Sequence, residues 1–144
     1  MRIREIMTRD LEVIHPNDIL QDAAERMRSL NVGSLPVCDG DRLVGMVTDR
    51  DVTVRATATG QDPKQTTVRD AMTSGEVIYI FEDQDVREAA QLMEQRQVRR
   101  LPVLSREKRL VGIVALGNLA VESGDEQLSG EVLERVSEPA EPER

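Results

Sequence analysis

An internal duplication is the feature that most constrains this chain. Ile6-Met7-Thr8 recurs as Ala71-Met72-Thr73, 65 positions later. DAAERM at 22–27 recurs as EAAQLM at 88–93, and VGSLPV at 32–37 as VRRLPV at 98–103, both at an offset of 66. RLVGMV at 42–47 then matches RLVGIV at 109–114, at 67. Four blocks in one order, drifting by a residue at each of two gaps, describe two copies of one structural unit. Both drifts fall between blocks, where loops accept insertions.

Each copy reads as βαββα, which makes the fold class α+β. A short β-branched stretch (Val13-Ile14, and Val77-Ile78 into Tyr79-Ile80) precedes a helix. Leu20, Ala23, Ala24, Met27 and Leu30 recur there at helical spacing, as do Val86, Ala89, Ala90 and Met93. A Leu-Pro-Val strand (35–37 and 101–103), a polar turn and an apolar strand (43–47 and 110–114) follow. A second short helix is expected to begin near Thr48 and near Ala115.

The repeat boundaries divide the chain into 1–58, a linker at 59–67 marked by Gly60 and Pro63, and 68–124. An acidic tail, 125–144, carries Leu128, Val132 and Val136 four apart, the spacing of a short helix. Its end, SEPAEPER, reads as disordered. A unit of about 55–60 residues buries only a thin core, so each copy is expected to lean on the other.

Tyr79 and Phe81 are the only aromatic residues, so the core must be aliphatic. The net charge is −8, and much of it lies in the tail, where seven acids face Arg135 and Arg144. An acidic chain with two aromatics lacks both counter-charge for phosphate backbones and platforms for stacking bases, which argues against nucleic acid as a partner. One cysteine, Cys38, cannot form an internal disulfide and suits a reducing compartment. No apolar run has the length to span a bilayer, and the first residues do not resemble a signal peptide. Cytoplasmic residence without a membrane partner is the expectation.

With the MT near each start, the LPV strand, and LVG followed by two aliphatics before a Thr-x-x-Asp position, the chain resembles a tandem pair of cystathionine β-synthase (CBS) domains. The likeness runs from residue 1 to about 122, and GMVTDRD at 45–51 is similar to short stand-alone bacterial CBS pairs. The resemblance implies two units packed sheet to sheet with pseudo-twofold symmetry. It also implies clefts that hold AMP, ADP, ATP, NAD or S-adenosylmethionine, with no cofactor required, and assembly as a homodimer.

By that resemblance Asp51 accepts from the ribose hydroxyls while the Thr48 hydroxyl meets phosphate. A strand running into a helix start offers free backbone N–H groups to an anion, and a carboxylate offers only acceptors to a vicinal diol. The same Thr-x-x-Asp spacing also describes a capping box needing no ligand. Arg50 is a phosphate partner or a solvated side chain. Ile14, Pro36, Met46 and Val47 are candidate adenine contacts, and equally ordinary core residues, as is Leu35. In the second copy Ala115 and Asn118 replace Thr48 and Asp51, so a second cleft formed with Asn118, Ile80 and Pro102 is expected to bind more weakly. Arg99 and Arg100, standing where the first copy has Gly33 and Ser34, could partly compensate.

His15 and Cys38 are the sole histidine and cysteine, too few for a conventional zinc site. No nucleophile–base pair or P-loop is recognisable, which argues against an enzyme. Two readings remain: a sensor of an adenosine-containing ligand acting on an effector protein in trans, or a ligand-free dimerisation adaptor that docks a partner.

Overall fold

The computed structural model describes residues 1–73 and 77–121. A single 3-10 turn, Ile3–Glu5, is followed by α1 (Leu20–Leu30), β1 (Ser34–Asp39), β2 (Arg42–Thr48) and α2 (Asp49–Asp51). The last of these runs on through a wide π-helical turn, Val52–Ala56, and a 3-10 turn, Thr57–Thr59. The second half holds α3 (Val68–Ala71), β3 (Ile80–Phe81), α4 (Val86–Arg96), β4 (Arg100–Leu104), β5 (Leu110–Ala115) and α5 (Leu116–Val121). The acidic tail and its expected helix lie outside the described residues.

Both long helices stand where apolar spacing places them. A capping box opens α4: Asp85 Oδ1 accepts the Arg87 amide at 2.9 Å, and the Glu88 carboxylate accepts the Asp85 amide at 3.0 Å. Each helix stops on a left-handed residue, Asn31 (φ 54°) or Gln97 (φ 53°). The next amide then returns to the last turn, Val32 to the Met27 carbonyl at 3.0 Å and Val98 to that of Met93 at 3.1 Å. The buried stripe of α4 is as expected, whereas α1 buries only Leu20, Ala23 and Met27. Ala24 is exposed and Leu30 is 43% exposed at the helix end, so the core-facing stripe of α1 is narrower than its repeat partner's.

The chain divides into two compact units, Glu12–Val77 and a second made of Met1–Leu11 with the chain from Ile78. These units cut across the repeat boundaries at 58 and 68, because edge pairing exchanges the MT segments. In the first unit β1 and β2 pair antiparallel, Ile14 bridges Val37 on one edge, and Thr73 bridges Met46 on the other. In the second, β3 runs parallel to β4, β4 antiparallel to β5, and Thr8 bridges Ile113. Each sheet therefore has one lateral order, closed by the Met-Thr of the other repeat. The 59–67 stretch is largely exposed but is hydrogen-bonded to the start of α1. The amides of Gln21 and Leu20 donate to the Pro63 and Thr66 carbonyls at 3.1 and 2.9 Å, and Thr66 is buried.

Each unit has its own aliphatic core. Leu20, Ala23, Leu35, Val37, Val47, Val68 and Ala71 lie in that of the first, and Ile3, Ile80, Ala89, Met93, Leu101, Val103, Val114 and Leu119 in that of the second. The two aromatics form a surface staple. Tyr79 meets Phe81 edge-on at 5.4 Å, and Arg106 lies 4.2 Å from the centre of the Phe81 ring while gripping Asp83. That guanidinium holds the Asp83 carboxyl below its ordinary range.

Candidate functional site

Strand pairing sorts the candidate residues by face. Leu35 pairs with Val47 and Val37 with Gly45, and the side chains of Leu35, Val37 and Val47 face the core. Successive residues alternate, so Ser34, Pro36, Met46 and Thr48, paired Ser34↔Thr48 and Pro36↔Met46, share the opposite face. Of the four candidate adenine contacts, Pro36 and Met46 thus stand with Thr48. Ile14 and Val47, at 1% and 0% exposure, are core side chains, as are Leu35 and, in the second unit, Ile80.

Thr48 ends β2 and caps α2. Its Oγ1 accepts the Asp51 amide at 3.0 Å, and Asp51 Oδ2 accepts the Thr48 amide at 2.9 Å, a complete capping box. The expected free amides at this helix start are not free. Asp49 donates to the Gly33 carbonyl at 3.0 Å, Arg50 to Asp49 Oδ1 at 2.8 Å, and Asp51 to Thr48. An anion would find no open N–H among these three and would meet the Asp49 carboxylate beside Gly33. The Thr48 hydroxyl proton, by contrast, goes to no described residue.

Asp51 is buried at 7% exposure. Its Oδ2 is occupied by the box, while Oδ1 accepts no hydrogen bond from the described residues and lies 3.7 Å from Arg55 Nε. Arg55, on the π-helical turn, went unnoticed in the sequence; its four-residue spacing from Asp51 was the available signal. Arg50 is exposed.

The second unit repeats this with one half of the chemistry. Asn118 Oδ1 accepts the Ala115 amide at 2.7 Å, so the reach-back bond survives, but Ala115 has no hydroxyl to return it. Arg100 pairs with Ala115 and Pro102 with Ile113, away from the core pair Leu101–Val114. Arg99 and Arg100 are exposed, and the Arg99 carbonyl accepts the Leu116 amide at 2.8 Å.

Two βαββα units, each ending a hairpin in a Thr- or Ala-led helix start, define a paired regulatory-domain architecture. The chain belongs to the CBS domain family, whose model matches residues 3–56 and 68–123. It is similar to the CBS domain-containing protein YhcV of Bacillus subtilis, 41% identical over 135 residues, 94% of each chain. Hypoxic response protein 1 of Mycobacterium tuberculosis is 39% identical over 118 residues, 81% of each. The solved structure of Hypoxic Response Protein I with two coordinated zinc ions superposes at a TM-score of 0.76 with 37% identity, covering 83% of this chain and 97% of that one. CBSX2 in complex with AMP superposes at 0.73 with 28% identity, covering 88% and 98%.

The described residues do not fit a zinc site. Among the described residues no three His, Cys, Asp or Glu side chains converge. Cys38 is buried and its thiol is pushed up to about 11, first by burial and then by Asp41. His15 Nδ1 accepts the Asn17 amide at 3.0 Å, and Nε2 lies 3.6 Å from Asp39. Among the described residues no helix is long and apolar enough to cross a membrane.

Proposed function

We propose that this protein is a cytoplasmic regulatory module that senses an adenosine-containing ligand through the Thr48–Asp51 face of its first repeat. One observation carries the reading: Asp51 is a buried carboxylate with one oxygen committed to the cap and the other accepting no hydrogen bond from the described residues. A ribose cis-diol brings two donors to such a group, and a carboxylate has capacity for both. The Thr48 hydroxyl adds a donor beside it, and half-buried Met46 supplies apolar surface on the same face, where Pro36 is buried. The AMP complex of CBSX2 supports adenosine as the recognised portion. Because the first three helix amides are satisfied internally, the nucleoside rather than the phosphate is the main handle.

Asn118 is the weaker diol reader, which makes the second repeat the lesser site, with Arg99 and Arg100 as its phosphate-facing charges. The module works as a homodimer and signals to an effector protein in trans, with no chemistry of its own. Isothermal titration with AMP, ADP, ATP, NADH and S-adenosylmethionine tests the reading. Heat with at least one ligand, lost in Asp51→Ala, is expected; silence with all five refutes it. The completeness of the capping box favours a second reading, a ligand-free adaptor, in which Asp51→Ala changes only stability.

A further inference from the structure

We infer that Arg55 is a positioning residue that ties the Asp51 carboxylate to the Met72–Thr73 segment, so that a cis-diol bound at Asp51 alters how that segment is held on β2. The ligand half of this inference rests on the reading of Asp51 above; the tie itself rests on geometry alone.

Arg55 reaches two groups far apart in the chain. Its Nε lies 3.7 Å from Asp51 Oδ1, and its Nη1 donates to the Met72 carbonyl at 3.3 Å. A guanidinium is a rigid fork of donors, so the carboxylate that orients one arm also aims the other. Asp51 is nearly buried while Arg55 is half exposed, which makes the carboxylate the fixed partner and the arginine the movable one. The wide π-helical turn carrying Arg55 is a form often found at functional positions.

The far end of the tie is a sheet edge. The Thr73 amide donates to the Met46 carbonyl at 3.0 Å, and the Met46 amide returns to the Thr73 carbonyl at 3.4 Å. Met46 stands on the same face as Thr48, and Thr73 already belongs to the second repeat, with the second compact unit resuming at Ile78. Oδ1, the oxygen that faces Arg55, is the one the capping box leaves open. A diol that takes it weakens the hold on Arg55, and Nη1 loses its aim at the Met72 carbonyl. In the second copy Asn118 stands for Asp51 and, by sequence, Glu122 for Arg55, so both members of the tie belong to the first copy alone.

Amide exchange read by NMR on the full chain tests this, with the Cys38 amide, bonded to the Ile14 carbonyl on the opposite sheet edge, as internal reference. Arg55→Ala and Asp51→Asn should each speed exchange at Thr73 and Met46 about three- to tenfold relative to Cys38. Asparagine keeps the cap acceptor, as Asn118 does. The double variant should add nothing to either single change. Arg55→Lys, which keeps the charge but not the fork, should match Arg55→Ala at Thr73. AMP should shift Thr73 in the wild type as Asp51→Asn does, and leave Thr73 of Arg55→Ala unmoved. Thr73 exchange unchanged in Asp51→Asn, or additive effects in the double variant, overturns the tie. A non-additive cycle with no heat from any adenosine ligand upholds the tie and removes the ligand reading instead.

Discussion

The carbonyl oxygen of Thr73 lies 2.8 Å from the place a Cβ on Gly45 would occupy, with Met72 Sδ at 3.0 Å. The exchanged segment crosses β2 at backbone distance, which only glycine permits. Its mirror is Gly112, where a Cβ would meet Met7 Sδ at 2.6 Å and the Thr8 carbonyl at 3.0 Å. Backbone cannot withdraw from a new methyl without losing the Thr73–Met46 pair, whereas a methionine side chain can turn aside. Gly45→Ala should therefore cost about 2–3 kcal/mol, and Gly112→Ala at least about 1 kcal/mol less. Urea midpoints of the two variants measure the difference, and equal losses would contradict this account.

The unequal helix starts give a second pair of expectations. Thr48→Ala removes the acceptor for the Asp51 amide and should lower stability by about 1 kcal/mol. Ala115→Thr should supply the missing half of a box whose other half Asn118 already makes, raising stability by about 0.5–1 kcal/mol. Thermal unfolding of both variants checks the opposite signs.

Turn chemistry supplies a third. Gly40 (φ 66°) and Lys108 (φ 63°) hold left-handed conformations in the two hairpin turns. A side chain there costs about 1–2 kcal/mol, set against glycine's entropic cost of about 0.5–1 kcal/mol. Lys108→Gly should stabilise by about 0.5–1 kcal/mol and Gly40→Lys should destabilise by a similar amount, measured by the same denaturant titration.

Cys38 sets a pH dependence. Burial, with Asp41 second, raises its thiol from 9.0 to about 11 in the folded chain. The unfolded thiol ionises first, so the stability it confers is complete below about pH 9 and is lost as pH rises toward about 11. Cys38→Ala should flatten that part of the stability–pH curve. A thiol reagent at pH 8 should label Cys38 only as fast as the protein opens.

Much of the candidate site was legible because its contacts are local. Thr48 and Asp51 are three residues apart, and either reading of them, cap or ligand, placed a helix start there; the completed box is what that spacing dictates. The Ala115–Asn118 contrast was visible too, although the half-box that Asn118 retains was not. Ile14 and Val47 could be adenine contacts or core residues by sequence, because aliphatic residues in a strand look alike until the register assigns a face. Of the three satisfied helix amides, that of Asp49 goes to the Gly33 carbonyl sixteen positions earlier, which spacing does not reveal.

The sequence by itself determined the duplication, the βαββα order, the buried stripe of α4 and the polar start of α2, because each depends on periodicity or on partners within a few residues. Tertiary structure alone decided that each Met-Thr segment closes the other repeat's sheet, that the 59–67 stretch is hydrogen-bonded to the start of α1, and that Arg55 spans Asp51 and Met72. The reason is physical. In a duplicated chain the two copies offer nearly the same edges, and only the path of the backbone selects which edge each segment joins.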